Sequence, residues 1–180
     1  MDNLKAIVES LLFASDTPLT IDKIKSVLEV ADRKAIREVL TSLTQEYESA
    51  KRGFFLSEVA GGVQLRTRPE YRQWIRRLKE TRPARLSRAG METLAIIAYK
   101  QPVLRSDVEY LRGVDCGGTL RTLLERRLIR VLGRKDLPGR PMIYGTTKQF
   151  LELFDLKELN DLPTLKDLKD LEEIWQSDSR

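Results

Sequence analysis

The strongest constraint on the fold of this chain is a pattern of apolar residues that changes period and then repeats. Near residues 4, 21 and 33, three stretches begin in which apolar side chains recur at helical spacing, and Thr20 and Asp32 are suited to cap the second and third. The segments FFLSEV and VQLRT, separated by a turn assigned to Gly61 and Gly62, then alternate apolar and polar residues. Three helices followed by a β-hairpin is the order of elements in a winged helix. Pro69 opens a further helix, PEYRQWIRRLKE, whose apolar stripe lies under arginines.

The same order of elements is predicted again after residue 87. Ser87 is suited to cap a helix that extends through Tyr99, Ser106 or Asp107 to start a short second helix, and Gly113 to make the next turn. A third helix is expected from about residue 117 to residue 127. The β-rich segments LIRVLGR and PMIYGTT follow, and KQFLELF closes the unit as a short helix.

An offset of 84 residues aligns the two halves without a gap. It pairs residues of similar type: Ala14 with Ala98, Pro18 with Pro102, Leu19 with Val103, Ile24 with Val108, and Val27 with Leu111. Together with the repeated order of elements, these pairs favour a tandem repeat of one fold. The predicted fold class is therefore mainly α with small β-hairpins, an α+β arrangement of two tandem winged-helix (winged helix-turn-helix) domains.

The segments between and after the repeats set the predicted domain boundaries. ETRPARLS has no apolar periodicity and contains a proline, which is typical of a linker. We predict an N-terminal winged-helix domain at 1–80, a linker at 81–87, a C-terminal winged-helix domain at 88–154 and an acidic, flexible tail at 155–180. A marginal amphipathic helix that docks on a partner is the alternative for the tail, with Leu165, Leu168, Leu171, Ile174 and Trp175 as its apolar residues.

The composition excludes most familiar catalytic chemistry. The chain has no histidine and one cysteine, Cys116, so Ser/His and Cys/His nucleophiles and the common Cys/His zinc sites are excluded. The carboxylates of the second half (Glu92, Asp107, Glu109 and Asp115) are scattered among basic residues, which favours ion pairs or solvated charges over a metal site. We therefore expect no catalytic residue, no cofactor and no metal site, and a protein that is not an enzyme.

Charge is distributed unevenly along a chain whose net charge is +5. Counting charged residues, 1–60 carry a net −2, 61–150 a net +12 and 151–180 a net −5. A basic centre beside an acidic tail suggests a polyanionic partner, an acidic protein surface, or the tail folding over the middle of its own chain.

The single thiol and the lack of long apolar runs indicate a cytoplasmic protein. One cysteine cannot form an internal disulfide, which suits a reducing compartment. Asp2 and Glu9 interrupt the apolar stretch at the start of the chain and no cationic leader precedes it, so no signal peptide is predicted. The longest apolar run, near TLAIIAY, is far below the roughly 18 residues that a membrane-spanning helix needs.

The stretch GRKDLPGRPMIYGTT, residues 133–147, combines glycines, prolines and cations and at first suggests a phosphate-binding loop. Such a loop precedes the N-terminus of a helix and has GxxxxGK[ST] spacing, whereas here the spacing differs and a strand follows. A hairpin turn explains the residues better: Asp136, Pro138 and Gly139 build it, and Met142 and Ile143 resume the strand. We interpret this stretch as the wing of the second domain.

A winged-helix transcriptional regulator that binds DNA is the alternative function. It would place the third helix of a unit in the major groove and the wing on the phosphate backbone, with Arg121, Arg126, Arg134, Lys135 and Arg140 as contacts. Base recognition, however, usually uses the N-terminal part of that helix, which here is Gly-Gly-Thr. Weak contact with the DNA backbone is the form of DNA binding that the sequence favours.

Residues 90–154 carry the motifs ETLAIIAYKQP, LRTLLER, LIRVLGRKDLPGRPMIYGTT and KQFLELF, long and in order. With these motifs the chain strongly resembles the bacterial segregation and condensation protein B family. The first half, with ESLLFAS, DTPLTIDKI and LSEVAGGVQLRT, also looks like the N-terminal part of that family. One departure is CGG at residues 116–118, where more polar residues are expected; it predicts a loosened start of the third helix and a weaker base-reading role.

The resemblance implies two winged-helix domains per chain, a homodimer formed through the N-terminal domain, and no enzymatic activity. It implies a kleisin partner, segregation and condensation protein A, and through it an SMC (structural maintenance of chromosomes) ATPase, in a complex that condenses and partitions the chromosome. The implied location is cytoplasmic and nucleoid-associated, with weak or indirect contact to DNA.

Two sets of residues are predicted to make these contacts. The partner-binding set is Arg121, Arg134, Lys135, Arg140 and Tyr144. Each member of that set is equally compatible with an exposed charge or with a residue that packs the wing. The dimerisation set is Leu4, Ile7, Leu11 and Phe13, because the first helix is strongly apolar and Phe13 lies outside its main stripe.

Overall fold

A computed structural model describes residues 3–29, 32–79, 85–164 and 167. We call the described residues up to 79 the first unit and those from 85 onward the second unit. The helices are α1 (Leu4–Ala14), α2 (Ile21–Leu28), α3 (Arg33–Ser49), α4 (Arg72–Lys79), α5 (Arg88–Lys100), α6 (Arg105–Arg112), α7 (Gly117–Glu125) and α8 (Lys148–Phe154). The strands are β1 (Phe54–Val59), β2 (Gly62–Thr67), β3 (Val103–Leu104), β4 (Ile129–Arg134) and β5 (Met142–Thr146). The predicted mixture of helices with small sheets is confirmed.

The first three helices of the first unit enclose one apolar core. α2 begins after Thr20, whose side chain accepts a hydrogen bond from the backbone N–H of Lys23 at 3.2 Å, as the sequence predicts. α3 begins after Asp32, but the Asp32 side chain makes no capping hydrogen bond. Apolar residues from all three helices and from β1 are buried together: Val8, Leu12, Ile24, Ile36, Leu40, Leu43, Tyr47 and Leu56.

The first hairpin differs from its predicted turn by one residue. Its strands pair antiparallel from Phe54 opposite Thr67 to Val59 opposite Gly62, so the turn consists of Ala60 and Gly61. Both turn residues have positive φ, 51° and 74°, which suits the right-handed twist of a two-residue hairpin. Gly62 instead belongs to β2 and is buried.

The second unit repeats the order of the first and adds a short strand. β5 lies between β3 and β4 in a three-stranded antiparallel sheet. The sequence did not predict β3, because two residues are too short to show an alternating pattern. The first unit has a counterpart of β3: Leu19, which precedes α2, bridges to Val63 of β2 through two backbone hydrogen bonds of 2.9 Å.

The helix ends of the second unit follow from local sequence. The Ser87 hydroxyl accepts a hydrogen bond from the N–H of Gly90 at 3.1 Å, as predicted. Gly113 ends α6 with φ of 69°, a left-handed conformation that glycine adopts without strain. α7 ends at Glu125 rather than at residue 127, because Arg127 also takes a left-handed φ of 55° and turns the chain into β4.

A second apolar core lies beneath α5, α6, α7 and the three-stranded sheet. Its buried members include Leu94, Ile97, Val108, Leu123 and Phe150. Part of the predicted flexible tail contributes to this core as well, since the side chains of Leu156, Leu159 and Leu162 pack against it. The predicted tail helix, and residues 81–84 of the predicted linker, lie outside the described residues.

The two units are joined by the segment that follows α8. The N–H groups of Ala60 and Gly61 donate to the carbonyls of Leu156 and Lys157, each at 2.9 Å. Ion pairs flank these bonds: Arg66 with Asp155 at 2.7 Å, and Lys157 with Glu58 at 2.7 Å. Residues 155–157 therefore connect the first hairpin to the second core.

Within the described ranges, no helix has both the length and the apolar character that crossing a membrane requires. In the same part of the chain, no group of three or more Cys, Asp or Glu is placed to hold a metal ion.

Candidate partner-binding surfaces

The end of β4 and the loop that follows it, residues 134–141, which we call the second wing, are exposed except for the half-buried Pro141. Backbone hydrogen bonds within it fix its shape: the N–H of Lys135 donates to the carbonyl of Pro141 at 2.9 Å, and that of Arg140 to Leu137 at 2.8 Å. Gly139 takes a positive φ of 80°, as the turn requires. Because the backbone groups satisfy one another, the side chains of the second wing remain available to a partner.

The structure brings Arg134, Lys135 and Arg140 together on the second wing. The Arg134 guanidinium donates to the Arg140 carbonyl at 3.1 Å, so it lies across the base of the loop. Leu137 is also exposed near the tip. The surface is therefore basic and carries one exposed apolar side chain, a combination suited to a protein partner as much as to phosphate.

Arg121 and Tyr144 do not share that surface in the same way. Arg121 lies on α7, exposed, and its guanidinium is paired with Glu125 one turn further along at 3.0 Å. Tyr144 is 7% exposed and belongs to the second core, where it faces Val131 across the sheet. The prediction of Tyr144 as a contact residue is therefore corrected: it packs the wing, because alternation along β5 directs it inward.

The start of α7 is held firmly, contrary to the loosening predicted from its glycines. Arg105 donates to Glu109 at 2.7 Å and also pairs with Asp115. Glu109 in turn accepts the N–H of Cys116 at 3.1 Å. The Arg105 hydrogen bond, with that N–H, lowers the pKa of the Glu109 carboxyl. Glu109 and Asp115, two of the four second-unit carboxylates, are therefore ion-paired, whereas Asp107 accepts the backbone N–H of Leu104 at 3.2 Å.

Gly117 is the residue that permits this arrangement. A Cβ atom at that position would lie 2.9 Å from Nη1 of Arg105, so the guanidinium occupies the space of the missing side chain. Cys116 beside it is buried, and burial raises the pKa of its thiol. The first turn of α7 thus serves packing, and Gly117 and Gly118 offer no side chain with which to read a base.

The outer face of α1 combines exposed and half-buried residues. Phe13 is 82% exposed and Ile7 41%, so both are available to a second surface. Leu4 and Leu11 instead pack partly against the core of their own unit. Of the four residues predicted for dimerisation, the structure therefore leaves Ile7 and Phe13 as the exposed pair.

A groove of about 1100 Å³ was not predicted from the sequence; it is lined by the second unit, with Arg66 as the contribution of the first. Its walls include Arg66 of β2, Met91 of α5, and Leu153 and Phe154 of α8. No sequence signal could have located it, because its walls come from segments of the second unit that are distant along the chain and from Arg66, which is paired with Asp155.

Comparisons with known proteins identify the relatives of this chain. A family model described as "Segregation and condensation complex subunit ScpB" matches residues 6–165. Segregation and condensation protein B of Syntrophotalea carbinolica is 54% identical over 154 residues, which cover 86% of this chain and 78% of that protein. The protein of the same name from Moorella thermoacetica is 46% identical over 156 residues, covering 87% of this chain and 80% of that protein.

A solved structure is similar to part of the chain. It is described as the crystal structure of a dimer of ScpB N-terminal domain complexed with ScpA peptide. It is 36% identical to this chain, covers 43% of this chain and 95% of the solved chain, and superposes with a TM-score of 0.39.

Proposed function

The chain belongs to the segregation and condensation complex subunit ScpB family, and we propose that it is a non-enzymatic accessory subunit of a bacterial SMC–kleisin condensin complex. In this role it binds the kleisin, segregation and condensation protein A, and through the kleisin it acts with the SMC ATPase. The complex condenses and partitions the chromosome during cell division, in the cytoplasm and at the nucleoid. Each unit is a winged helix, with β1–β2 and β4–β5 as the wings.

The exposed second wing is the observation that supports kleisin binding most directly. Its backbone is satisfied internally, while Lys135 has no side-chain partner among the described residues. Arg134, Lys135 and Arg140 flank the exposed Leu137 along the chain, which gives a protein segment both an apolar contact and positions for carboxylates. Interface residues of this kind gain binding energy when a partner removes them from water.

Charge reversal of the wing tests this proposal. The variant Arg134→Glu, Lys135→Glu, Arg140→Glu is expected to bind the cognate kleisin at least about tenfold more weakly, since each opposed pair of charges becomes a repulsion. Affinity is measured by calorimetry with purified kleisin. The matched control reverses three exposed lysines of the first unit, Lys23, Lys25 and Lys34, and should bind the kleisin almost as the unmutated chain does.

The outcomes separate the possibilities. A failure of the unmutated chain to bind the kleisin at micromolar concentration would overturn the proposed function. Equal weakening by both variants would show a general effect of net charge, and would remove the second wing from the proposal. A wing variant that loses DNA binding in a mobility-shift titration, yet keeps the kleisin, would favour the transcriptional regulator instead.

The proposed function includes a homodimer formed through α1. The motivation is the exposed face of α1 that carries Ala6, Ile7, Ser10 and Phe13, none of which is charged. A two-fold axis places a surface against its own copy, so an uncharged face avoids the repulsion that a charged one would meet.

Light scattering tests the dimer directly. The unmutated chain is expected to have twice the mass of one chain, and Phe13→Asp to shift it toward one chain, because the aspartates would meet across the axis. Phe54→Asp, at a partly exposed apolar residue of β1, serves as the control for introducing a carboxylate. A monomer mass for the unmutated chain at micromolar concentration would reject the dimer.

A further inference from the structure

The helix α4 leaves an apolar stripe in water. It follows a short 3-10 turn at Pro69–Tyr71, and its side chains Trp74 and Leu78 are 54% and 83% exposed. Tyr71, one turn before Trp74, is exposed as well, and the two rings contact each other with centroids 6.1 Å apart. Ile75 is half-buried. Exposed apolar clusters of this kind mark interaction sites more often than isolated surface leucines do.

Arginines flank this stripe. At 3.6 residues per turn, Arg72 and Arg77 lie on its two sides and Arg76 lies on the opposite face of the helix. All three are exposed, and none has a side-chain hydrogen bond or ion pair with another described residue. The charge of the two flanking guanidinium groups is therefore available to a ligand that also covers the stripe.

The residue types of the surface indicate a protein. Tryptophan, tyrosine and arginine are the residues most enriched where protein interfaces gain their binding energy. A nucleic acid duplex would pair with the arginines but leave Trp74 and Leu78 in water. A second copy of the same helix would bring arginines against arginines.

We propose that α4 is a docking surface for an acidic amphipathic helix of a partner protein. The partner places apolar side chains at helical spacing on Tyr71, Trp74 and Leu78, and carboxylates on both sides against Arg72 and Arg77. This is the helix-in-groove type of recognition, with charge pairs setting the orientation. The inference rests on the proposed function in one respect: the kleisin is taken as the protein that carries this helix.

The test uses the full chain and purified cognate kleisin in calorimetric titrations. One variant removes the apolar contact, Trp74→Ala with Leu78→Ala, and another reverses the flanking charges, Arg72→Glu with Arg77→Glu. Both are expected to weaken kleisin binding about tenfold or more. Arg76→Glu is the matched control, because it reverses a charge on the same helix but on the face away from the stripe, and it should change the affinity by less than about threefold.

Each result decides the inference. If the unmutated chain binds the kleisin and the two variants bind equally well, α4 is not the docking surface, while the proposed function stands. If the unmutated chain does not bind the kleisin, the proposed function and the α4 docking surface are both rejected. A variant that becomes monomeric without the kleisin assigns the stripe to a second copy. One that loses only binding to duplex DNA, or to phosphatidylglycerol vesicles, assigns α4 to those ligands. Each of these outcomes overturns the proposal.

Discussion

The hairpins of the two units occupy the same place in the order of elements but are used in opposite ways. The turn of the first hairpin, Ala60 and Gly61, donates both of its N–H groups to carbonyls of the second unit, at Leu156 and Lys157. The second wing instead bonds to itself, Lys135 to Pro141 and Arg140 to Leu137, and presents its side chains to solvent. One hairpin joins the units, and the other is left for a partner.

Loop length accounts for this difference. A two-residue turn cannot satisfy its own N–H groups within the hairpin, so those groups need acceptors from elsewhere or water. The longer loop at 135–141 has enough backbone to form its own hydrogen bonds. The charges follow the same division, since Glu58 and Arg66 of the first hairpin are paired across the junction while Lys135 has no side-chain partner among the described residues.

The largest effect is expected when one glycine in each hairpin is changed to alanine, which adds a single methyl group. A Cβ at Gly62 would lie 2.9 Å from the backbone of Leu19, whereas a Cβ at Gly133 would meet nothing within 4 Å. Gly62→Ala is therefore expected to lower the free energy of unfolding by about 2–3 kcal/mol, because backbone cannot move aside as a side chain can. Gly133→Ala should stay within about 0.5 kcal/mol of the unmutated chain.

Urea denaturation followed by circular dichroism measures both variants. Equal stability of the two would show that the close approach of β2 to the segment before α2 is not required by the fold.

Alkaline pH should weaken the first unit through Tyr47, at the base of its hairpin. Burial, and then the hydrogen bond that its hydroxyl donates to Glu9, raise the pKa of Tyr47 to about 12 from an ordinary value of 10.0. The unfolded chain therefore loses this proton first. The stabilisation is complete below about pH 10 and is lost as pH rises toward about 12, with a total of about 2 kcal/mol.

Urea unfolding midpoints between about pH 9 and pH 12 measure this loss, and Tyr47→Phe is the control. The substituted chain should show a smaller decline over that range, since phenylalanine has no proton to lose. The same decline in both chains would remove Tyr47 as its cause.

A smaller effect is expected at the junction itself. Arg66 is paired with Asp155 at 2.7 Å and also donates to the carbonyl of Glu152 at 3.0 Å, and its side chain is 25% exposed. Arg66→Ala should cost about 1 kcal/mol and speed hydrogen exchange of the Ala60 and Gly61 amides. Arg121→Ala, which breaks an exposed pair within α7, should leave those amides unchanged. Unaltered exchange in Arg66→Ala would mean that the pair does not hold the junction.

Local signals made much of this fold predictable. Thr20, Ser87 and Gly113 act at helix ends through interactions with their nearest neighbours, so the sequence alone contains the information needed to place them. The turn of the hairpin at 54–67 was predicted one residue too far along the chain, because either Ala60–Gly61 or Gly61–Gly62 is able to form a turn. The position of Leu19 against β2 decides between them, and that contact is distant along the chain.

The candidate surfaces were less predictable, because exposure depends on packing between distant segments. Arg134, Lys135 and Arg140 lie together on the second wing because they are close along the chain. Tyr144 does not lie with them, because its burial depends on α5, α6 and the sheet closing over it. The apolar stripe of α4 was visible in the sequence, but its periodicity resembles that of a helix with a buried face. Only the structure shows that the stripe is uncovered within the described residues.

The segment at 155–157 has a mechanical consequence. Its leucine packs against one unit while its carbonyls bind the hairpin of the other, through two main-chain hydrogen bonds and two flanking ion pairs. These bonds are few compared with the contacts inside either core, so among the described residues the angle between the units should change more readily than the packing of either core. A ligand that pulls on α8 would therefore change the angle between the units before it disturbs the packing of either one.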